Sequence, residues 1–303
     1  AVQACEQHSG ECAPGLLRDI ILRFGSWVGG DMDGNPNVTA TTILETLATQ
    51  RAVVIKRYLP EINRLGRYLS QSSSEIGISE PVMKQLRRYR EMMPEVNRTI
   101  PERHQDMPYR CLLKMVASRL QATLAEKDHE YSTTGEFAGD IRLISDSLRA
   151  NKGEHAGLFG IERLLRRIQT FGFHLVTLDV RQDALLHRRV MGELLGCADW
   201  EERDPLSRTR TLAHLLETGS LPVLSDAQEV SSEAADTLAV FHAISSARQR
   251  YGTAAIGLFI ISMAQGADDV LTALALSEMA NPHTGPACKL DVAPLLETVN
   301  QLQ

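Results

Sequence analysis

Apolar residues recur at helical spacing along most of the chain. The segment that begins near residue 39 has threonines suited to an N-cap, and its apolar positions then follow at roughly helical spacing: Ile43, Leu47, Val54, Ile55, Leu59, Ile62, Leu65 and Leu69. The same pattern predicts further helices at about 80–93, 107–127, 134–150, 157–170, 183–196, 207–218, 231–250 and 267–280. Residues 70–79 and the segment from Pro94 to Pro108 are predicted to be loops.

Four short stretches break the helical pattern. They are IILRFGSWVGG (20–30), FHLVTLDVR (173–181), AAIGLFIISMA (254–264) and LDVAPLLET (290–298), all apolar and rich in β-branched residues. Strands that are apolar on both faces and alternate with helices predict a parallel sheet or barrel covered by helices. A large helical insertion, at about residues 38–170, separates the first two strands. The predicted class is therefore α/β and predominantly helical.

Composition narrows the possible functions. The chain of 303 residues has 32 basic and 38 acidic residues, a net charge of −6, so it lacks the basic excess of a general nucleic-acid-binding surface. No apolar run is long enough for a membrane-spanning helix. Five irregularly spaced cysteines favour a reducing, cytoplasmic compartment. The first residues, AVQACEQHSGECAPG, lack an initiator methionine and a signal peptide, and we expect the chain to be part of a longer protein.

Polar residues gather where the predicted strands end. Trp27, Gly29, Gly30, Asp31, Asp33 and Asn35 follow the first strand; Asp179, Arg181, Gln182 and Asp183 lie at the end of the second; Ser262, Met263 and Gln265 follow the third; Glu297 follows the fourth. In parallel α/β proteins the carboxyl ends of strands carry the chemistry. An arginine, several carboxylates and a tryptophan at one rim suit a small anionic substrate with a divalent metal.

The stretch GGDMDGNPNV, residues 29–38, allows three interpretations. As a calcium loop starting at Asp31, it has oxygen ligands at Asp33 and Asn35, but Pro36 replaces the turn glycine and Thr42 the final glutamate. As a phosphate loop, it lacks both a Walker lysine and a GxGxxG pattern. A tight corner, with glycines for positive φ and Asp or Asn in the turn, fits the residues better.

The same stretch resembles a known family. FGSWVGGDMDGNPNVT is similar to the FxSWxGGDRDGNPxVT signature of the phosphoenolpyruvate carboxylases. FGFHLVTLDVRQD, IISMAQGADDVL and VAPLLETVNQL resemble three further segments of that family, in the same order along the chain. These four matches coincide with the four predicted strands. The chain is therefore identified as a member of the phosphoenolpyruvate carboxylase family.

The resemblance implies a fold and a reaction. Members of the family are mostly helical proteins built around an eight-stranded β/α barrel, and they are usually cytoplasmic homotetramers. They join bicarbonate to phosphoenolpyruvate and release oxaloacetate and phosphate, with Mg²⁺ or Mn²⁺, through carboxyphosphate and the enolate of pyruvate. This carbon dioxide fixation supplies oxaloacetate to the tricarboxylic acid cycle. A metal and arginines would neutralise the phosphate and the enolate oxygen.

The resemblance also assigns roles by position. Arg181 matches an arginine that binds the phosphate or carboxyphosphate; the alternative is a structural ion pair with Asp179 or Asp183. Glu297 matches a metal-binding glutamate; the alternative is a solvated carboxylate at a strand end. Trp27 matches a tryptophan near the substrate pocket; the alternative is core packing. The remaining residues of the first loop are expected to shape it rather than react: Gly29, Gly30, Asp31, Asp33 and Asn35.

Several family features are missing from the sequence. It has no TAHPT-type segment with the essential histidine, no GYSDS-type segment with the second metal carboxylate and no GRGG loop, and Met32 stands where the signature has arginine. None of the nine histidines has the catalytic context, so we interpret them as surface or packing residues. We therefore expect about four of the eight barrel strands, and no activity from this chain alone. A non-catalytic helical scaffold, or another lyase or phosphotransferase on the same barrel, are the alternatives.

Overall fold

The computed structural model describes residues 22–223, 230–282 and 290–298, and these ranges are mostly helical. Four strands lie in them: β1 (Gly25–Ser26), β2 (Thr177–Asp183), β3 (Ile256–Ser262) and β4 (Asp291–Pro294). The α-helices of the same ranges are α1 (Ala40–Tyr68), α2 (Glu80–Met92), α3 (Pro94–Arg98), α4 (Pro108–Ala125), α5 (Thr134–Ala150), α6 (Phe159–Phe171), α7 (Ala184–Leu194), α8 (Pro205–Thr218), α9 (Ser232–Tyr251) and α10 (Ala267–Ala280). The helices predicted from apolar spacing are confirmed.

The strands form one parallel sheet whose order follows the chain, β1-β2-β3-β4. The register pairs Ser26 with Leu178, and Arg181 with Ile260. Helices separate successive strands, which confirms the predicted α/β class. Each strand lies beside the strand that precedes it in the chain, which is the strand order of β/α barrels. In a doubly wound sheet the strand order reverses part of the way across the sheet. The completion of this sheet to an eight-stranded barrel stays a prediction.

The first strand is much shorter than predicted. Residues 20–30 were expected to form it, but β1 contains only Gly25 and Ser26. The backbone turns immediately afterwards, because the amides of Gly30 and Asp31 both donate to the carbonyl oxygen of Trp27, at 2.9 and 3.1 Å. Residues before 22 lie outside the described ranges. The turn places the loop that follows β1 beside the carboxyl end of β2.

Helix α1 connects two hydrophobic cores. It starts at a capping box, in which Thr39 Oγ1 accepts from the amide of Thr42 and Thr42 Oγ1 accepts from the amide of Thr39, at 3.4 and 3.1 Å. Its first turns bury Ile43 and Leu47 in the core around the sheet. Its later turns belong to a separate core formed by the six helices α1–α6, with buried residues that include Ile55, Ile62, Leu113, Phe137 and Ile161.

A polar cluster is buried in this helical core. Asp140 accepts hydrogen bonds from the hydroxyls of Tyr89 and Tyr131, both at 2.6 Å, and from Gln85 Nε2 at 2.8 Å. Burial raises the pKa of Asp140, and the three donors oppose that shift. Arg119 Nη1 donates to Tyr89 at 2.7 Å. Because each polar group has partners, the cluster fixes α2, α4 and α5 against one another.

One predicted loop is wrong in part. The segment from Pro94 to Pro108 contains the short helix α3 and a 3₁₀ turn at Glu102–His104. Proline disrupts the interior of a helix because it has no backbone N–H to donate. It fits the first helical turn, where backbone N–H groups have no acceptor within the helix. Pro94 and Pro108 each begin a helix in this way. The prolines therefore mark helix starts rather than an unstructured segment.

No helix within the described ranges is long and apolar enough to cross a membrane. Cys111 is buried and Cys197 is half-buried, and both are free thiols. The other three cysteines of the sequence, Cys5, Cys12 and Cys288, lie outside the described residues.

Candidate active site

The carboxyl ends of the strands bring together side chains from distant parts of the chain. Arg181 lies in β2, Asp31 follows β1, and Glu297 follows β4. Asp31 forms an isolated parallel bridge with Arg181, in which the amide of Arg181 donates to Gly30 and the amide of Met32 donates to Arg181, at 2.9 and 3.0 Å. The backbone itself therefore fixes the first loop beside Arg181.

Arg181 and Asp31 form a two-pronged ion pair. Arg181 Nε donates to Asp31 Oδ1 at 2.7 Å, and Nη2 donates to Oδ2 at 2.9 Å. This hydrogen bonding lowers the pKa of Asp31 and raises the pKa of Arg181. Both groups are therefore charged at neutral pH. The pairing uses one edge of the planar guanidinium and fixes its orientation.

The remaining nitrogen of the guanidinium, Nη1, faces two more carboxylates. It lies 3.5 Å from Asp33 Oδ2 and 3.8 Å from Glu297 Oε1. Both distances exceed the roughly 2.7–2.9 Å that is usual for charge-assisted hydrogen bonds. The Arg181 side chain keeps 20% of its surface exposed. Nη1 is thus placed at the rim of the sheet, where an anionic ligand can approach it.

Trp27 lies beside this arginine and does not belong to the core. Its side chain is 44% exposed, which argues against the packing alternative. The guanidinium carbon of Arg181 is 5.1 Å from the centroid of its ring, a cation–π distance. The indole therefore covers one side of the arginine and restricts the directions from which water and ligands reach it.

Two glycines are required by the shape of the first loop. A Cβ on Gly30 would lie 2.2 Å from the carbonyl oxygen of Asp179, which is backbone and cannot move aside. Gly29 has φ +87°, and a Cβ there would lie 2.1 Å from Thr46 Oγ1. The loop can lie this close to β2 and α1 only because both residues lack a side chain.

Asp33 and Asn35 take part in local turns. Asp31 Oδ1 accepts from the amide of Asp33 at 3.2 Å, and Asn35 Oδ1 accepts from the amide of Asn37 at 3.1 Å. Such short-range bonds are the reason that Asp and Asn are favoured in turns. Asp33 also adds a carboxylate beside Arg181, whereas the described contacts of Asn35 stay within the turn.

The two aspartates that the structural alternative would pair with Arg181 bind backbone amides instead. Asp179 Oδ1 accepts from the amide of Leu258 in β3 at 2.9 Å. Asp183 caps α7, because its Oδ1 accepts from the amides of Leu185 and Leu186 at 2.8 and 3.2 Å. The partner of Arg181 is Asp31, 150 residues earlier in the chain.

Sequence reasoning missed a buried ion-pair cluster behind the strand ends. Arg188 in α7 donates from Nε and Nη2 to the two carboxylate oxygens of Asp269, both at 2.7 Å. Arg208 in α8 donates from Nε to Asp268 Oδ2 at 2.8 Å. Asp269 Oδ2 also accepts from the amide of Gln265 at 2.8 Å, which fixes the loop after β3. The only signal in the sequence is the acidic pair at the start of α10, and it does not reveal the arginines.

Met263, in the same loop, has an unusual backbone conformation. Its φ is +55°, in the left-handed region that residues with a Cβ rarely occupy, and its side chain is 39% exposed. This conformation costs about 1–3 kcal/mol in general, and residues held in this way cluster at functional sites. No feature of the residue type predicts it.

His187 is a packing residue, in agreement with the interpretation of the histidines. It is fully buried, its Nε2 lies 3.1 Å from Gln182 Oε1, and its ring lies 5.5 Å from that of Phe259. Burial lowers the pKa of His187 to about 4, so the ring is neutral at pH 7.

We expect His187 to make the fold sensitive to acid. An unfolded histidine binds its proton near pH 6.5, whereas the folded one resists protonation down to about pH 4. The stabilisation is complete above pH 6.5 and is lost as the pH falls towards 4, by about 3 kcal/mol in all. Urea unfolding of the chain and of His187→Gln at several pH values measures this loss. The same change at the exposed His242 is the control, and equal pH dependence in both variants would contradict the assignment.

The metal-binding prediction rests on Glu297 alone. Among the described residues, no group of three or more His, Cys, Asp and Glu side chains is arranged to hold a metal ion. Both oxygens of Asp31 are bound by Arg181. Mg²⁺ commonly uses only one or two protein carboxylates, with waters and substrate phosphate as its other ligands. Glu297 fits that requirement as a single ligand, and it does not form a complete site.

Comparison with known proteins tests the family resemblance. Residues 3–303 match the family model of phosphoenolpyruvate carboxylase. A phosphoenolpyruvate carboxylase of Xanthomonas oryzae pv. oryzae (strain MAFF 311018) is 45% identical over 292 residues, which cover 96% of this chain and 32% of that protein. One of Rhodopseudomonas palustris (strain BisB5) is 35% identical over 299 residues, with 93% of this chain and 31% of that protein covered. The chain thus spans about a third of the length of these curated relatives, and it belongs to the phosphoenolpyruvate carboxylase family.

Proposed function

We propose that this chain is the part of a phosphoenolpyruvate carboxylase that supplies the phosphate-binding arginine and one metal-binding carboxylate. The whole enzyme would carboxylate phosphoenolpyruvate with bicarbonate and release oxaloacetate and phosphate. Family membership supports the reaction. The observation that carries the assignment to these residues is the fixed guanidinium of Arg181, with Nη1 at the rim, 3.8 Å from Glu297.

Arg181 would bind the phosphoryl group while it is transferred. The phosphoryl group leaves the enol oxygen of phosphoenolpyruvate and joins an oxygen of bicarbonate, which forms carboxyphosphate and the enolate of pyruvate. Negative charge remains on the phosphoryl oxygens throughout this step, and a guanidinium that is already oriented stabilises it without reorganisation. Asp31 provides that orientation, because it holds Nε and Nη2 and leaves Nη1 directed at the rim.

Glu297 would hold the divalent metal, Mg²⁺ or Mn²⁺. When bound, such a metal supplies positive charge against the phosphate and the enolate oxygen. Glu297 lies at the same rim as Arg181, so both can act on one small anion. Trp27 covers the arginine from one side and would limit access of water to the reactive enolate.

We further propose that this chain is inactive without the rest of the enzyme. The sequence lacks the family's segment with the essential histidine and its GRGG loop with a catalytic arginine. Within the described residues the sheet ends at β1 and β4, each paired on one side only. The enzyme would be a cytoplasmic homo-oligomer, a tetramer as in the family, with no nucleic-acid or membrane partner.

Oxaloacetate formation tests these proposals. The chain is incubated with phosphoenolpyruvate, bicarbonate and Mg²⁺, and oxaloacetate is followed by NADH oxidation with malate dehydrogenase. We expect no turnover by the chain and clear turnover by a protein that extends it to the full length of its relatives. Turnover by the 303 residues alone would refute the dependence on missing segments. Absence of turnover from the extended protein would favour the non-catalytic scaffold.

A further inference from the structure

A second cleft lies at the opposite end of the strands. It has a volume of about 350 Å³ and lies where the chain enters β2 and β3, among residues of the helices α1, α5, α6 and α9 and of the segments 172–174 and 252–254. Its walls include Arg51, Thr134, Gly135, Phe173 and Tyr251. Arg181 is the fifth residue of β2, so about 13 Å of strand separates it from Thr177, where β2 begins next to this cleft. The cleft is therefore distinct from the candidate active site.

Arg51 is a buried cation whose N–H donors are not all satisfied within the described residues. It is only 9% exposed, and its Nε is buried without a partner in the described part of the chain. Its nearest carboxylate oxygen is Oε2 of Glu130, which lies 3.8 Å from Nη2 and is itself without a hydrogen bond. A guanidinium has five N–H donors, and a buried one normally finds acceptors for them. Arg51 therefore has donors to offer to a ligand in the cleft.

The first turn of α5 lines the same cleft. Thr133 caps this helix of 17 residues and accepts from the amide of Glu136 at 3.2 Å. The amides of Thr134 and Gly135 make no hydrogen bond among the described residues. Unpaired amides at a helix start, together with the helix dipole, favour an anion. The helix start and Arg51 are separate elements that present donors to one space.

A second arginine and an aromatic ring complete the lining. The guanidinium carbons of Arg51 and Arg250 each lie 5.4 Å from the ring centroid of Tyr251. Arg250 is half-exposed and pairs with Glu126 at the surface. The rest of the lining is mixed, with apolar Ala138, Ile168 and Phe173 beside polar residues that include Gln169 and His174.

We propose that this cleft binds a small anion, a carboxylate or phosphate, between Arg51 and the first turn of α5. The apolar part of the lining would accept a short hydrocarbon or ring portion of the same molecule. The proposal requires no turnover by the chain, so it stands apart from the proposed enzyme function.

Amide NMR spectra of the isotopically labelled chain test the site. Inorganic phosphate and acetate are added in separate titrations, with chloride keeping the ionic strength constant. We expect saturable shifts of the Thr134 and Gly135 amides with at least one of the two anions, and the tighter one identifies the ligand class. If neither anion gives saturable shifts at these amides, the proposal is refuted.

Matched variants separate the site from general charge effects. Arg51→Gln is expected to raise the dissociation constant about tenfold or more, whereas Arg57→Gln, an exposed change on the same helix, leaves it unchanged. Equal effects of the two substitutions on the dissociation constant would refute the proposal.

If Arg51→Gln does not fold, a second pair of variants tests the proposal. Thr134→Pro removes one amide at a helix position that accepts proline, and it should weaken binding about threefold relative to Thr134→Ala, which keeps that amide. No difference between these two would also refute it.

Discussion

Arg181→Lys is expected to lower kcat/KM for phosphoenolpyruvate by about 10²- to 10³-fold in a protein that extends this chain to the full length of its relatives. Lysine keeps the positive charge, so a simple electrostatic role would survive the change. It has a single ammonium group, which cannot hold both oxygens of Asp31 and reach the rim as well. The expected loss of kcat/KM therefore measures the two-pronged geometry of the guanidinium rather than its charge.

Asp31→Asn tests the same geometry from the other side. The amide of asparagine is nearly isosteric with the carboxylate, but its NH₂ group faces a guanidinium donor and its charge is lost. Arg181 would then be free to swing towards Asp33 or Glu297, which lie 3.5 and 3.8 Å from Nη1. We expect a smaller loss of kcat/KM than in Arg181→Lys, and mainly in kcat, because the arginine is still present but poorly oriented.

A matched control separates catalysis from folding. Arg189 forms a two-pronged pair with Glu233, with Nε and Nη2 donating at 3.2 and 2.8 Å, but on an exposed surface. Arg189→Lys should leave kcat/KM unchanged. If Arg181→Lys keeps full activity while the free energy of unfolding falls, Arg181 is only a structural partner of Asp31. That outcome would contradict its role as a phosphate-binding residue.

Local patterns explain which parts of the fold could be predicted. The apolar spacing of α2, α5 and α10 gave their bounds to within about two residues, because those helices bury one face and have clear start signals. The buried strand β3 was visible as an apolar run of β-branched residues. β2 begins at Thr177, four residues after the start of the predicted stretch, and it alternates buried and half-buried positions. β1 was predicted too long, because apolar residues beside a glycine turn look the same whether they pair or not.

Contacts between distant residues explain the rest. The strand-end rule correctly brought Arg181 and Glu297 to one rim, because parallel strands end on the same side. The rule does not say which carboxylate pairs with Arg181. Asp179 and Asp183 lie two residues from it in the sequence and were therefore better candidates than the distant Asp31. Their oxygens bind backbone amides of β3 and α7. That choice depends on the register of the sheet, which one sequence does not reveal.

Asp269→Asn is expected to lower the free energy of unfolding of the chain by about 3–5 kcal/mol. The carboxylate of Asp269 is fully buried, and it holds Arg188 through two bonds of 2.7 Å. Asparagine has no negative charge, so the buried guanidinium of Arg188 would lose its ion-pair partner. Asp268 lies 3.9 Å from Arg188 Nε but is already bound by Arg208, so it replaces the lost partner only in part. We therefore expect a value near the lower end of that range.

Urea unfolding measures this effect, and two comparisons make it specific. Glu233→Gln breaks the exposed pair of the neighbouring Arg189 and should cost at most about 1 kcal/mol. The double variant Arg188→Met/Asp269→Leu removes both charges and should be much closer to the parent chain than Asp269→Asn, because burying two apolar side chains avoids the desolvation of the ion pair. Equal losses for Asp269→Asn and Glu233→Gln would show that burial does not strengthen this pair. Since Asp269 also holds the amide of Gln265, its loss would release the loop after β3 at the rim of the candidate active site.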